Sequence, residues 1–316
     1  MLIVNKTDAD TDIEVVLSQY EAISRPFQIC QLSEKGIWIV NNQYVVKRIR
    51  KPNVANNVCI IIDSLDKTGV HIGKYICTKK RQKYFHGTIG DFIVTEYIKG
   101  KQFDINQALN EKDCFGKTIG YCLARLHYSF TLIKTGFFNK ANTMLEYDEA
   151  ISFLNNNEIM IPDNIKNECE SFKAIYKCLP RQIIHRDIHL NNIIVGNHNN
   201  IYFLDFDSCE NNVRIYDIAY FGVTLLDAVY DKTIIKQWWH LYSFFLQGYF
   251  NENKLSQVEL DSIWKMFVVL QICFIKYYFE IDNNVNNANF RLNKLIYIYN
   301  HKSIFMQYNI TCLIQD

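Results

Sequence analysis

The chain has 316 residues, of which 49% are hydrophobic, so it is long enough for two lobes with cores of their own and does not have the composition of a disordered protein. The 34 Lys and Arg residues against 33 Asp and Glu residues give a net charge of +1, which argues against a dedicated nucleic-acid binder, because such proteins carry a basic surplus. The most apolar stretch, 263–281, is interrupted by Lys265, Lys276 and Glu280, so we expect no membrane span.

The cysteines and the N-terminus indicate the compartment. None of the 10 cysteines falls in a Cys-x-x-Cys motif, and most lie in apolar stretches. This pattern disfavours zinc and disulfide frameworks and is typical of buried thiols in a reducing compartment. Residues 1–8 do not combine a charged segment with an apolar one, so no signal peptide is expected. We therefore expect a cytoplasmic protein.

The first third of the chain predicts a small sheet and two helices. A short opening helix is expected at 11–24. Apolar residues at helical spacing predict a second helix at 54–67, which ends at Gly69. Runs rich in β-branched and aromatic residues predict strands at 27–29, 36–40, 44–49, 75–78 and 91–97. A turn is expected at 85–87.

The rest of the chain is mostly helical apart from one hairpin. Asp104 suits an N-cap, and apolar stripes predict helices at 115–130 and 163–179. Ser256 with Glu259 forms a capping box for a further helix in the aromatic-rich last third. We expect most of the aromatic rings there to lie in the core, because helical spacing explains their positions.

A predicted hairpin lies in the most informative part of the sequence. Apolar runs at 193–195 and 201–204 flank a polar turn and predict two paired strands. An acidic loop enters the hairpin and an acidic segment leaves it. We therefore expect Asp187, Asn192 and Asp205 to lie close together, although 18 positions separate the first from the last.

An Asp, an Asn and a second Asp in this arrangement suit phosphoryl transfer. The transferred group carries spread negative charge, so the protein mainly has to position and neutralise it. Asp187 suits the carboxylate that orients an attacking hydroxyl and takes its proton. Asn192 and Asp205 suit the oxygen ligands of Mg²⁺, which needs few ligands from the protein.

The spacing of this motif resembles a known fold. His-x-Asp-x-His-x-x-Asn at 185–192, followed by a hairpin and Leu-Asp-Phe at 204–206, resembles the protein-kinase-like fold. His189 stands where Ser/Thr protein kinases usually carry Lys, and it resembles the aminoglycoside phosphotransferase and choline kinase group, which phosphorylates small molecules. Arg186 departs from that group, where Gly is usual, and is more similar to protein kinases.

The resemblance implies a fold class and a domain division. It implies an α+β, two-lobed, protein-kinase-like fold with a small antiparallel-sheet N-lobe and a mainly helical C-lobe. The N-lobe would span residues 1–98 and bind the nucleotide. The C-lobe would span residues 99–316 and hold the catalytic loop at 185–192, the metal site and the helices that bind the acceptor.

The resemblance also implies roles in binding ATP. Lys47, in a Val-Val-Lys context on the third strand, would neutralise the α- and β-phosphates. The backbone at Glu96, Tyr97 and Ile98 would contact the adenine edge at the connection between the lobes. His189 would lie on the γ-phosphate side of the catalytic loop.

Two points near the nucleotide stay open. The resembled fold usually places a Glu on the helix after the lysine strand, but here that helix carries only Asp63 and Asp66. The partner of Lys47 is therefore not identified. Asp207 lies two positions after Asp205, on the same face if the chain is extended, and would either assist at the metal or bond the backbone.

Two further motifs are similar to the family. Leu-Ala-Arg-Leu-His at 123–127 implies that His127 supports the catalytic loop through hydrogen bonds. Asp-Ile-Ala at 217–219 implies that Asp217 caps the next helix and holds the loop. Only 12 positions separate Asp205 from Asp217, too few for the long activation segment of protein kinases, which argues against a protein substrate.

The sequence therefore predicts an ATP- and Mg²⁺-dependent kinase that acts on a small-molecule hydroxyl, such as that of an aminoglycoside, homoserine or choline. Neither nucleic acid nor a membrane is an expected partner, and the oligomeric state is left open. Candidate carboxylates for a cationic acceptor are Asp227, Asp231, Glu280 and Asp282. The alternatives are a catalytically inactive nucleotide-binding module, favoured by the missing helix Glu, and a protein kinase, favoured by Arg186.

Overall fold

The computed structural model describes residues 8–34, 36–230, 235–282 and 285–306. Its strands are β1 (Ile29–Ser33), β2 (Ile37–Val40), β3 (Tyr44–Ile49), β4 (Phe85–Gly87), β5 (Gly90–Glu96), β6 (Gly100–Gln102), β7 (Arg181–Ile184), β8 (Ile193–Gly196), β9 (Ile201–Phe203) and β10 (Glu210–Val213). Its helices are α1 (Asp8–Leu17), α2 (Val54–Thr68), α3 (Ile105–Asn110), α4 (Lys112–Thr131), α5 (Thr143–Asn156), α6 (Asp163–Cys178), α7 (Ile215–Val229), α8 (Ile235–Glu252), α9 (Gln257–Asp282) and α10 (Val285–Asn300).

The described chain divides into two compact units. The first comprises the chain up to Lys101 together with Ile194–Asp207, and the second comprises Gln102–Ile193 and the chain from Ser208 onward. The lobe boundary at residue 98 stays a prediction. The compact units differ from it chiefly in the hairpin, most of which joins the first unit although it follows the catalytic loop in sequence.

The first unit is built on a five-stranded antiparallel sheet in the order β1–β2–β3–β5–β4. Lys47 lies in the middle of this sheet on β3, where it pairs with Ile37 of β2 and Ile93 of β5. Successive side chains of a strand point to opposite faces. Because Val46 is fully buried in the core, Lys47 points to the other face of the sheet.

Two predictions at the edge of this sheet were wrong. Residues 75–78 do not form a strand but make an isolated bridge between Tyr75 and Thr95. Residues 85–87 are not a turn but strand β4, which pairs with β5. The turn is at residues 88–89, directly after β4, and β5 begins at Gly90 with a φ of 136° that other residues rarely adopt. The other predicted strands are confirmed to within a few residues.

Helix α1 and the segment that follows it pack on the sheet in one hydrophobic core. Helix α2 is confirmed, and it ends at Gly69 with a φ of 72°, as the sequence predicts. Helix α1 ends at Leu17, earlier than expected, because residues 18–23 form turns. Buried residues from the opening segment and the sheet share this core: Ile13, Val16, Leu17, Tyr20, Ile23, Trp38, Val40, Val46, Phe92 and Val94.

The predicted hairpin is confirmed. Strands β8 and β9 are neighbours, and β6 lies beside β8 in a three-stranded sheet. At Gly100 the backbone of β6 comes so close to β8 that a Cβ would collide with the Val195 carbonyl oxygen. Along the sequence, the hairpin connects the catalytic loop to the acidic segment at 205–207.

The second unit is mainly helical, as predicted. Helices α4 and α6 confirm the two helices that the apolar stripes predicted. The predicted capping box lies at the start of α9, where the Ser256 N–H donates to Glu259 Oε2 at 2.9 Å. Helices α4 and α8 pack closely at Gly120, where a Cβ would collide with the Phe245 carbonyl oxygen. Within the described ranges, none of the helices combines the length and hydrophobicity needed to span a bilayer.

Candidate active site

The start of the catalytic loop is fixed by Asp217. Its carboxylate, fully buried on α7, accepts hydrogen bonds of 2.7 Å from the backbone N–H groups of both His185 and Arg186. His127 Nε2 lies 3.0 Å from the same carboxylate, and His127 Nδ1 lies 2.7 Å from the Tyr249 hydroxyl. The predicted supporting roles of His127 and Asp217 are confirmed.

The predicted N-cap role of Asp217 was wrong. Helix α7 begins at Ile215, and Arg214 occupies the N-cap position. Asp217 therefore lies inside the first turn. Its side chain is free to satisfy the loop amides because the helix does not use it as a cap.

Arg186 occupies a strained backbone position that ion pairs stabilise. Its φ is 72°, in the left-handed region that favours glycine and costs other residues roughly 1 kcal/mol. This explains why Gly is usual here in the resembled group. The guanidinium forms ion pairs with Glu146 of α5, at 2.8 Å, and with buried Glu210 of β10. These pairs tie the loop to both elements.

Asp187 lies at the centre of a hydrogen-bonded group in the second unit. Its Oδ1 accepts from the Tyr220 hydroxyl at 2.8 Å, and its Oδ2 accepts from Asn192 Nδ2 at 3.0 Å. Burial alone would raise the pKa of Asp187, but hydrogen bonds from His189 and Tyr220 outweigh it and lower the pKa to about 2. The carboxylate is therefore ionised at neutral pH and able to accept a hydrogen bond from a hydroxyl.

Sequence reasoning missed Tyr220. Asp217 and Tyr220 are three residues apart on α7, so they lie on the same face of the helix. Once Asp217 is expected to hold the loop, this spacing indicates that Tyr220 faces the loop as well. The helical spacing was the available signal.

Asn192 presents its amide in one orientation. Its Nδ2 donates to the Asp187 carbonyl at 2.9 Å and to the Asp187 carboxylate, and it lies 3.1 Å from His189 Nε2. These contacts all involve the nitrogen. The Oδ1 is therefore turned away from them, and an amide oxygen is a ligand that Mg²⁺ accepts.

A second group of charges lies in the first unit. Lys47 Nζ contacts Asp205 Oδ1 at 2.6 Å and Asp207 Oδ2 at 2.7 Å. Burial lowers the pKa of Lys47, but the charges of Asp207 and Asp205 outweigh it, so that the pKa is raised. Burial and then repulsion from Asp205 raise the pKa of Asp207, although Lys47 opposes the shift. The ammonium of Lys47 and the carboxylates of Asp205 and Asp207 give this group one surplus negative charge, which favours a bound cation.

The backbone at residues 205–207 does not have the extended conformation that the sequence led us to consider. Residues 205–207 are not extended, since Asp205 has a φ of 64° and a 3₁₀ turn covers Phe206–Ser208. Both carboxylates reach Lys47 through this turn and not through strand alternation. Buried Phe206 anchors the turn.

The acidic residues of α2 are engaged elsewhere. Asp63 forms an ion pair with Lys83 and accepts from the Tyr75 hydroxyl at 2.7 Å. Asp66 forms an ion pair with Lys74 at 2.7 Å. Within the described part of the chain, the carboxylates that contact Lys47 thus come from the segment after β9.

The predicted adenine contacts stay a prediction, although two of the backbone amides involved already donate within the first unit. The Glu96 N–H donates to the Lys74 carbonyl at 2.9 Å, and the Tyr97 N–H donates to the Gln43 carbonyl at 2.8 Å. These two amides are used within the sheet region because the 74–76 segment and the β2–β3 turn lie against the end of β5. Of the three predicted amides, Ile98 is the one with no such backbone bond among the described residues.

Two of the four candidate carboxylates for a cationic acceptor already lie near cationic side chains. Asp227 is bound to Arg291 Nη1 at 3.0 Å and to Lys294 Nζ at 2.6 Å, so it already has cationic partners. Glu280 lies 3.8 Å from Lys276. Asp231 and the side chain of Asp282 lie outside the described residues.

Aromatic rings extend from Tyr220. Its ring centroid lies 5.5 Å from that of Phe274, which lies 6.2 Å from that of Tyr278. Because the Tyr220 hydroxyl contacts Asp187, this row of rings starts beside the candidate base. Of these three rings only Tyr278 belongs to the aromatic set considered from sequence, most of which was expected in the core and one or two of which were expected to line an acceptor pocket.

The structure thus brings the predicted site residues together in two groups. Asp187, His189 and Asn192 meet within the second unit, and Lys47 meets Asp205 within the first. The predicted proximity of Asp205 to the catalytic loop stays a prediction.

A family comparison decides the class of protein. The model of the phosphotransferase enzyme family, APH, matches residues 37–252, which is more than half of the chain. The chain belongs to this phosphotransferase family. The prediction of a small-molecule kinase is thereby confirmed. Comparison with curated protein sequences gave no match.

Solved structures of this phosphotransferase's fold are similar over nearly the whole chain. An aminoglycoside phosphotransferase from Alicyclobacillus acidocaldarius has 12% identity and a TM-score of 0.68, covering 94% of this chain and 95% of that one. An amicoumacin kinase in complex with AMP-PNP and Ca²⁺ has 15% identity and a TM-score of 0.68, covering 95% and 94%. A choline/ethanolamine kinase family protein from Mesorhizobium loti has 12% identity and a TM-score of 0.67, covering 95% and 99%. These likenesses confirm the predicted kinase-like fold.

Proposed function

We propose that this phosphotransferase moves the γ-phosphate of ATP to a hydroxyl of a small molecule, with Asp187 as the base. The observation that carries the proposal is the state of Asp187. It is ionised, both of its oxygens are held by neutral donors, and the loop that bears it is anchored by Asp217. A carboxylate fixed in this way orients an acceptor hydroxyl and takes its proton as the phosphoryl group arrives.

The metal site is proposed from Asn192 and Asp205. The amide oxygen of Asn192 is turned away from its hydrogen bonds, and Asp205 belongs to a cluster with one surplus negative charge. An amide oxygen and a carboxylate are the hard ligands that Mg²⁺ prefers. When bound, Mg²⁺ neutralises charge on the phosphate oxygens. The amicoumacin kinase solved with AMP-PNP and Ca²⁺ supports a nucleotide and a divalent cation for this fold.

The remaining nucleotide contacts are assigned to the first unit. Lys47 binds the α- and β-phosphates with its ammonium, which stays protonated because its pKa is raised. The Ile98 N–H is the amide we assign to the adenine edge, since those of Glu96 and Tyr97 donate within the unit. His189 hydrogen-bonds Asp187 and is assigned to the γ-phosphate side of the loop.

The acceptor is proposed to be a hydroxylated antibiotic or an amino alcohol. The aminoglycoside phosphotransferase and the choline/ethanolamine kinase family protein support this class of acceptor. The rings of Tyr220 and Phe274 lie next to Asp187 and are suited to contact the carbon skeleton of such a molecule, whereas the Arg291 guanidinium stacks on Tyr278.

The test is acceptor-dependent ADP release. The purified protein is given Mg·ATP with aminoglycosides, other hydroxylated antibiotics, homoserine, choline and methylthioribose in separate reactions. For Asp187→Asn we expect turnover to fall at least about a hundredfold, the lower range for a positioned acid–base group. Asp113→Asn, an exposed carboxylate paired with Lys117 on α4, is the matched control and should keep wild-type turnover. Near wild-type turnover in Asp187→Asn would refute the assignment of the base.

A further inference from the structure

The structure suggests an unexpected partner for the phosphate-binding lysine. In protein kinases, a glutamate on the helix that corresponds to α2 forms the ion pair with this lysine. Here α2 carries no glutamate, and its two aspartates pair with Lys83 and Lys74. Lys47 instead contacts Asp205 and Asp207, which follow β9.

We propose that Asp207 is the counter-ion that holds Lys47 in its phosphate-binding position, in place of a helix glutamate. The inference rests on the proposed function, because it assumes that Lys47 binds nucleotide phosphate. It assigns the neighbouring carboxylates different tasks. Asp205 binds the metal ion, and Asp207 orients the lysine.

The charges of the group favour this division. Lys47 carries one positive charge and faces two carboxylates, so a single pair would leave one carboxylate uncompensated. A divalent cation at Asp205 compensates that carboxylate and leaves Lys47 with Asp207. An ammonium has three N–H donors, so Lys47 can keep its bond to Asp207 and still bind phosphate oxygens.

Burial makes the Lys47–Asp207 pair effective. The side chains are 24% and 29% exposed, against 58% and 51% for the Lys74–Asp66 pair, whose N–O distance is the same 2.7 Å. Solvent screens a pair less when it is partly buried. Lys74–Asp66 is therefore a natural comparison, with the same charges and distance but more water around them.

The proposal has a consequence for control of the enzyme. In protein kinases the position of the helix governs whether the lysine is correctly held. Here the lysine lies on β3, and its counter-ion lies on the turn at Phe206–Ser208, which buried Phe206 anchors. The alignment of Lys47 then does not depend on any carboxylate of α2, and the phosphate-binding arrangement is built into the sheet and the hairpin.

The test is a double-mutant cycle on nucleotide affinity. Calorimetry with Mg·ADP compares the wild type with Asp207→Asn, Lys47→Met and the double variant. We expect each single substitution to weaken binding about tenfold and the double variant to bind no more weakly than Lys47→Met, because the two residues act as one unit. Asp66→Asn, the matched control from the more exposed pair, should leave the affinity unchanged.

Two results would overturn the proposal. Wild-type affinity in Asp207→Asn would show that Lys47 does not need this partner. An equal loss in the wild-type and Lys47→Met backgrounds would show that Asp207 acts independently, as a metal ligand. Should Asp207→Asn fail to give the cooperative thermal unfolding of the wild type, Asp207→Ser takes its place in the cycle. Absence of Mg·ADP binding by the wild type would overturn the proposed function together with this inference.

Discussion

Two groups of aspartates in this molecule have opposite electrostatic environments. Asp187, in the second unit, is surrounded by hydrogen-bond donors, and its pKa is lowered to about 2 despite burial. Asp207, in the first unit, shares Lys47 with Asp205, and burial together with that second carboxylate raises its pKa. The same residue type is therefore kept ionised in one place, where it can accept a hydrogen bond from a hydroxyl, and is suited to attracting a cation in the other.

The comparison also shows how each group is held. The Asp187 group depends on hydrogen bonds from His189, Tyr220 and Asn192 and on a buried carboxylate, Asp217, that binds backbone amides. The Lys47 group depends on charge-assisted hydrogen bonds between an ammonium and two carboxylates, and it is partly buried. Substitutions in the first group should therefore affect both stability and turnover. Substitutions in the second should affect mainly the binding of cation and nucleotide.

The largest effect should follow the loss of Asp205, the carboxylate proposed to bind the metal. In Asp205→Asn one ammonium faces one carboxylate, so the group no longer carries the surplus negative charge that favours Mg²⁺. We expect turnover to fall on the order of a thousandfold, as for loss of a strong transition-state charge contact. Titration of turnover with Mg²⁺ should show a raised metal requirement. An unchanged requirement would mean that Asp205 is not the metal ligand.

The next largest effect should be on stability. Asp217→Ala leaves two loop N–H groups and His127 without their buried partner. Each buried donor left unsatisfied costs about 1–3 kcal/mol, so the free energy of unfolding should fall by at least about 3 kcal/mol. Urea denaturation measures the change, and Asp113→Ala on the exposed surface of α4 is the control. A decrease in the free energy of unfolding of less than about 1 kcal/mol would show that Asp217 does not hold the loop in place.

Asp205 and Asp217 also show which features of the site can be predicted from the sequence. Site roles for Asp205, Asp187, Asn192 and Lys47 stay predictions, which could be made because each residue belongs to a motif with fixed spacing. The roles of Asp217 and His127 in holding the loop were also predictable from short motifs. The same local information fixed the hairpin, α2 and the capping box of α9, where strand alternation, helical spacing and caps all act within a few residues.

The missed features depend on contacts between distant parts of the chain. The pairing of Lys47 with Asp207 joins residues 160 positions apart, through a left-handed turn that alternation did not predict. Strand β4 was mistaken for a turn because its three residues are defined by their partner strand. The ion pairs of Asp227 with Arg291 and Lys294 on α10 join residues more than 60 positions apart and leave no local signal in the sequence.

A moderate effect is expected from removing one hydroxyl beside Asp187. Tyr220→Phe keeps the ring, which stacks on Tyr216 and packs against Phe274, but removes one donor to the carboxylate. We expect kcat to fall about tenfold with little change in the KM for ATP, since a hydrogen bond to a charged group contributes about 1.5–3 kcal/mol. A change confined to the KM for ATP would place Tyr220 outside the chemical step.

The same variant has a defined pH signature. A pKa of about 2 for Asp187 means that its ionisation is complete well below neutral pH, so it should add no acidic limb to kcat between pH 5 and 8. The lost donor favoured the ionised form, so Tyr220→Phe should raise this pKa and move any acidic limb to higher pH. A limb that moves to lower pH would contradict the assigned hydrogen bond.

The smallest expected effect is at Arg186, where two substitutions separate the cost of backbone strain from the loss of the ion pairs. Both Arg186→Gly and Arg186→Ala remove the ion pairs with Glu146 and Glu210, but only Gly adopts the φ of 72° without strain. Both variants should be less stable than the wild type, because Glu210 is buried and loses its cation. The Gly variant should be more stable than the Ala variant by about 1 kcal/mol, the strain that the left-handed backbone imposes. Urea denaturation of the pair measures this difference, and equal stabilities would mean that the loop relaxes out of the left-handed region once the arginine is gone.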